Sequence, residues 1–159
     1  MKAFSPMKWL RDGFEISTDP AKLDIGVVHS FLTNCYWAKG IPLATVLRSI
    51  EHSLCFGVYK ASRQVGFARV ITDHATYAYL ADVFIVEEHR GKGLSRWLME
   101  CIVGHPELQG LRRWALVTQD AHELYEQFGF ELLRNPQRWM ERHDANVYAR
   151  KTDTGVQKI

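Results

Sequence analysis

The chain has little that would mark a metal protein, a secreted scaffold or a membrane protein. Its 159 residues include only three cysteines, Cys35, Cys55 and Cys101. They are odd in number and widely spaced, which argues against a disulfide framework and for a reducing, cytoplasmic compartment. No Cys-x-x-Cys or His-x-x-x-His spacing offers a metal site, so the thiols read as buried small apolar groups. No apolar run approaches the ~20 residues that cross a bilayer, and Met1 to Leu10 lacks the apolar core of a signal peptide. Charge of one sign is missing too. The 20 Lys and Arg against 18 Asp and Glu leave a formal charge of +2. That is too little to argue for nucleic acid as a partner. Repeats, low-complexity tracts and linker-like stretches are absent, so a single domain over residues 1–159 is expected.

The apolar content, 47%, is that of an ordinary globular core. Phe14 to Ser17 reads as a first strand. Asp24 is placed to cap a helix from about Ile25 to Leu32. Thr33 to Pro42 lacks periodicity and reads as a loop. Pro42 to His52 carries Leu43, Val46, Leu47 and Ile50 on one helical face. Three strands follow as a meander, Leu54–Tyr59, Gln64–Thr72 and Tyr77–Val86, with turns at Lys60–Arg63 and Asp73–Thr76. Leu94, Trp97, Leu98, Cys101 and Ile102 follow helical spacing. Trp114–Thr118 is an apolar strand. Asp120 and Glu123 are spaced as a capping box for a short helix that ends at Gly129. Phe130–Leu133 and Trp139–Arg142 read as a closing hairpin. Antiparallel strands followed by strand–helix–strand–helix units imply an α/β protein of the α+β type, with helices on both faces of a mixed sheet.

The stretch with the most chemistry runs from Ala81 to Leu98. An apolar strand enters the turn Arg90-Gly91-Lys92-Gly93-Leu94-Ser95, and the turn opens a helix. Glycines let backbone approach a ligand, and a helix start presents unpaired N–H groups, so the turn suits a phosphate. A Walker A loop requires G-x-x-x-x-G-K-[ST], which is lacking. A dinucleotide fingerprint requires a third glycine where Arg96 stands, and an acidic residue about 20 positions on that is also lacking. A plain strand-to-helix turn with solvated basic residues is the alternative to a site.

This turn resembles the acetyl-CoA motif of the GNAT family of N-acetyltransferases, [QR]-x-x-G-x-[GA], with Val86 and Glu87-Glu88 before it. Ser95 replaces the last small residue. Leu124-Tyr125-Glu126-Gln127-Phe128-Gly129-Phe130 is similar to the family's downstream Leu-Tyr-x-x-x-Gly-Phe signature. The resemblance covers about Leu54 to Leu133. It implies a GNAT fold, with a mostly antiparallel sheet of six or seven strands and about four helices. It implies acetyl-CoA as co-substrate and a primary amine of a small molecule or peptide as acceptor.

By position, the resemblance gives the backbone of Val83, Phe84 and Ile85 to the pantetheine amides, and Arg90, Gly91, Lys92, Gly93, Leu94 and Ser95 to the pyrophosphate. Thr118 stands where many members carry a cofactor-binding asparagine. Tyr125 takes the role of proton donor to the departing thiolate; its helical spacing equally fits a core tyrosine. Some relatives carry a carboxylate where Ala81 stands, so Asp82 becomes the candidate base, with a hydrogen-bonded structural carboxylate as the alternative. Tyr36, Trp37 and Tyr79, with Tyr77, are candidate acceptor walls, as are Trp139 and Met140. His122 is a candidate cofactor contact. A homodimer is expected from the resemblance alone. A non-catalytic acyl-CoA-binding module on the same fold is the rival reading.

Overall fold

Turn chemistry sets the order of the sheet. The structure is a computed structural model that describes residues 4–150. Asp12 and Gly13 both take positive φ, +50° and +77°. This is the two-residue turn that matches the twist of antiparallel strands. It joins β1 (Lys8–Arg11) to β2 (Phe14–Ser17). The sequence reading begins the sheet at Phe14 and misses β1, although Asp-Gly is a strong hairpin signal. Ala61 and Ser62, at φ +47° and +68°, turn β3 (Leu54–Lys60) into β4 (Arg63–Thr72). Asp73 then closes the turn to β5 (Tyr77–Ile85). Its carboxylate accepts from the Thr76 hydroxyl and from the N–H groups of Thr76, Ala75 and Tyr77. These bonds hold it well below the usual carboxylate range. The last strand, β6 (Arg113–Ala115), pairs with β5 in parallel; all other neighbours are antiparallel, in the order β1-β2-β3-β4-β5-β6.

Helices cover both faces, as the sequence implies. Asp24 caps α1 (Ile25–Asn34) by accepting from the Val27 N–H at 3.1 Å. Together with α2 (Leu43–Glu51), α1 builds a core of Val28, Leu32, Val46, Cys55, Phe67 and Phe84. The opposite core holds Ile16, Phe56, Val58, Leu80, Leu98 and Ile102 under α3 (Leu94–Val103). Cys55 and Phe56, adjacent on β3, face opposite cores, as strand alternation requires. The sheet separates the two cores. Among the described residues, no helix is long and apolar enough to cross a membrane.

The expectations for the C-terminal third are corrected. The helix α4 (His122–Glu126) starts after Ala121, which caps it without a side-chain bond. Asp120 is one position too early to cap, and the Thr118 hydroxyl accepts the Ala121 N–H at 3.0 Å instead. The helix ends at Glu126, short of the expected Gly129, which takes φ +84° at the end of the turn that follows. The closing hairpin does not form: Phe130–Leu133 and Trp139–Arg142 contain no strand. The strand before them stops at Ala115, short of the expected Thr118. Pro136 starts a 3-10 turn between the two segments. Phe130 is drawn against Trp114 and Tyr125, whereas Leu132 and Met140 stay exposed, so pairing the segments would bury no continuous face.

Candidate active site

Neighbouring strands part beside the glycine turn. β5 and β6 pair only from Tyr77–Arg113 to Tyr79–Ala115. Past that point β5 continues to Ile85, and β6 does not accompany it. On its other side β5 stays paired, Phe84 with Phe67 and Ile85 with Gly66. One backbone edge of Val83–Ile85 therefore lies along the opening. The side chains of these residues serve the cores: Phe84 and Ile85 are buried, and Phe84 stacks on Phe31 at 3.8 Å. Any ligand role for them is a backbone role.

The turn that follows is held in shape by glycine and by a side chain. Gly91 and Gly93 both have φ of +75°, and no atom lies within 4 Å of an added Cβ at either. Glycine is required there by backbone conformation, and the space beyond is open. Gly93 caps α3 with no side-chain bond, so the first N–H groups of a ten-residue helix meet no capping side chain. Arg90 turns back and donates from Nε to the Ile85 carbonyl at 2.9 Å, tying the turn to the end of β5. Lys92 lies 3.3 Å from His89 Nδ1 and over the Phe14 ring. A cleft of about 460 Å³ beside the turn is lined by Arg11, Phe14, Lys92, Gly93, Leu94 and Arg96. An adjoining cavity of the same volume, lined also by Gly13, Glu15 and Tyr59, shares Arg11, Asp12 and Phe14 with this cleft, so volume alone does not mark the site.

Tyr125 is 8% exposed on α4. Burial pushes its phenol up to about 12, and the nearby Tyr36 phenol and Asp120 add to the shift. Tyr36 lies on the loop between α1 and α2. Tyr36 itself is exposed and meets Trp37 edge-on at 5.1 Å. Tyr79 is half-buried on β5, and its phenol is raised by burial and by Tyr77 and Asp82. Asp82 is engaged on both oxygens: Arg69 Nε donates to Oδ2 at 2.9 Å, and Trp37 Nε1 donates to Oδ1 at 3.1 Å. Sequence reasoning passes over Arg69, yet it is the single charge within the apolar run Val65–Ile71, a signal that could have found it. Thr118 spends its hydroxyl on α4. Trp139 packs under Arg113, and Met140 is 95% exposed. Among the described residues no group of His, Cys, Asp and Glu is arranged to hold a metal ion.

An unpaired strand edge, a glycine turn and an uncapped helix start thus follow one another on a mixed sheet with helices on both faces. The comparisons give this arrangement its family. The acetyltransferase (GNAT) domain profile matches residues 51–132. A Gibberella zeae protein named as a proposed acetyltransferase is 33% identical over 143 residues, covering 76% of this chain and 80% of that protein. The crystal structure of a proposed acetyltransferase of the GNAT family from Xanthomonas campestris is 53% identical, with a TM-score of 0.84 over 86% of this chain and 97% of the other. A Clostridium acetobutylicum protein, described as a predicted acetyltransferase with acetyl-CoA, shares the fold at 13% identity and TM-score 0.59, over 87% of this chain and 95% of that one. The chain belongs to the GNAT acetyltransferase family.

Proposed function

We propose that this protein is an N-acetyltransferase that uses acetyl-CoA to acetylate a primary amine of a small molecule or peptide. The observation that carries the reading is the open edge of Val83–Ile85 leading, through a 3-10 turn at Glu87–His89, into the Arg90–Ser95 turn. The residues fit that ligand. The strand edge offers backbone groups to a chain of amides, and the open turn offers N–H groups and a helix dipole to a pyrophosphate. Lys92 adds a nearby cation. Acetyl-CoA supplies an acyl carbon activated by a thiolate leaving group.

The chain's own contribution is placement and a hydrogen bond to the leaving group. Holding the amine against the acyl group converts a bimolecular encounter into a local one. Tyr125 keeps its proton at neutral pH as any phenol does, and burial raises it further, to about 12. A thiol ionises near ~8.5, so complete transfer from Tyr125 to a thiolate is uphill by roughly 5 kcal/mol. The hydroxyl therefore serves as a hydrogen-bond donor to the departing sulfur, with solvent completing the protonation. Tyr36, Trp37 and Tyr79 form the acceptor side. Three free thiols accord with a reducing, cytoplasmic setting.

One observation favours a second reading. Both oxygens of Asp82 accept a hydrogen bond, so β5 offers no carboxylate without a partner, which fits a binding module. Incubation with acetyl-CoA and a panel of amines, following thiol release, separates the two. Turnover on an amine supports the enzyme. Saturable acetyl-CoA binding without turnover supports the module, and absence of binding overturns both.

A further inference from the structure

Asp82 sits where three parts of the molecule meet. Its φ is +55°, a left-handed conformation inside a strand. The register explains it. Phe67 pairs with Phe84, but Arg69 pairs with Ala81, so Ala68 alone faces both Asp82 and Val83. Such a bulge re-aims a side chain, and aspartate tolerates the left-handed region better than most residues. The re-aimed carboxylate accepts from Arg69 and from Trp37, and Arg69 donates a further bond to Ser53 Oγ at 3.1 Å. Ser53 in turn donates to the Ser49 carbonyl near the end of α2. The Arg69 and Asp82 side chains are 15% and 11% exposed, so water screens the pair little.

The loop after α1 is thereby fastened to β5 twice. Trp37 reaches Asp82 through its indole N–H. Its ring also packs against Phe31, at 6.0 Å, and Phe31 stacks on Phe84 of the same strand. Residues 35–42 have no helix or strand of their own to hold them.

We infer that Arg69 and Asp82 are a positioning pair. They fix Trp37, and with it Tyr36, against the strand that carries the donor, and so assemble the acceptor side of the site. Asp82 does not act as the base. A proton taken from an incoming ammonium would neutralise the carboxylate and cost it the partly buried Arg69 ion pair and the charge that holds the Trp37 indole. This rests on the acetyltransferase reading, and its test has one arm that needs no substrate.

Asp82→Asn, Arg69→Lys and Trp37→Phe test the pair. In steady-state kinetics each raises the acceptor KM, about 10-fold for Asp82→Asn and less for Arg69→Lys, which keeps the charge but loses the fork to Ser53. The acetyl-CoA KM stays within about twofold, and the pH profile of kcat keeps its shape. Asp82→Asn combined with Trp37→Phe costs less than the sum of the single losses, because asparagine has one acceptor oxygen for the two donors Arg69 and Trp37 and both variants weaken the same connection. In the substrate-free protein, acrylamide quenching assigned to Trp37 by subtracting Trp37→Phe increases in Asp82→Asn and in Arg69→Lys. Loss of kcat with the acidic limb of its pH profile in Asp82→Asn alone would make Asp82 the base and overturn the inference. Unchanged quenching would do the same. If Asp82→Asn does not fold, Arg69→Lys and Trp37→Phe decide by the same readouts. A wild-type protein that neither binds acetyl-CoA nor acetylates overturns the functional reading, and the quenching arm still judges the pair.

Discussion

The half of the site around Gly91 and the half around Asp82 are made of different material. The first is backbone: two glycines at φ +75°, an uncapped helix start and a strand edge, within a span of about a dozen consecutive residues. The second is side chain: Trp37, Arg69 and Asp82, joined over sequence separations of 13 and 45 residues. A backbone site recognises what all donor molecules share, amides and phosphates. A side-chain site can change its acceptor by changing one residue. The difference predicts which substitutions abolish function and which only retune it.

The harshest test falls on the backbone half. Gly91→Val or Gly93→Val puts a β-branched residue in the left-handed region, at about 1–3 kcal/mol of strain, and the turn escapes by moving its N–H groups. Acetyl-CoA affinity is expected to fall at least about 100-fold, measured by calorimetry, because several hydrogen bonds to charged oxygens go together. Gly91→Asn sharpens the point, since asparagine tolerates positive φ and should retain much of the affinity. No atom lies within 4 Å of an added Cβ, so a comparable loss with asparagine would mean that bulk at the ligand, and not backbone conformation, makes glycine necessary there.

Tyr125→Phe comes next and probes the junction of the halves. Turnover is expected to drop about 100-fold with acetyl-CoA affinity nearly unchanged, as for loss of a group that acts on the leaving atom. The hydroxyl is raised to about 12, so its ionisation sets no alkaline limb of the wild-type kcat profile below about pH 11. Wild-type turnover in the Tyr125→Phe variant would hand the donor role to water.

The same contrast explains what is legible in the sequence. Gly91, Gly93 and the strand before them are contiguous, and their residue types follow from the conformation they must adopt. The meander is legible because its turns and apolar strands alternate clearly. Arg69–Asp82–Trp37 is not, because a network spanning two strands and a loop exists only once the bulge at Ala68 sets the register. Asp82 draws attention as a candidate base; its partners are what give it a different task. β1 escapes because its Leu10 is exposed and its pattern weak, even though Asp12-Gly13 announces the turn. The closing hairpin fails for the opposite reason: its local pattern is strand-like, but β6 ends at Ala115 and gives it no edge of matching length.

The two cores under these halves should also differ in their response to base. Cys55 lies beneath α1 and α2, and burial pushes its thiol up to about 12; Cys101 lies on α3, pushed up to about 11. Both folded values exceed the ordinary 9.0, so the unfolded chain loses these protons first. Their contribution to stability is full below about pH 9 and declines as pH rises through the folded values. Melting temperature should therefore fall from about pH 9 upward. Cys101→Ala should flatten the slope up to about pH 11, and Cys55→Ala up to about pH 12, whatever each does to stability at neutral pH. An unaltered slope in both would show that the tyrosines, not the thiols, carry the alkaline loss.

The mildest change tests where the halves join. Thr118 occupies the position at which the family resemblance expects a cofactor contact, yet its hydroxyl accepts the Ala121 N–H and so seats the first turn of α4. Removing such a bond at a helix start costs about 1 kcal/mol. Thr118→Ala should thus lower the melting temperature by a few degrees, roughly 2–4 °C for a chain of this size. Through Tyr125, on the helix it seats, it should lower kcat by less than about 10-fold, one decade being worth about 1.4 kcal/mol. Acetyl-CoA affinity should stay within about threefold of wild type. The opposite pattern, a loss of affinity with an unchanged melting temperature, would return Thr118 to the donor-binding half. The boundary between the two halves would then run through the segment between β6 and α4 and not through α4.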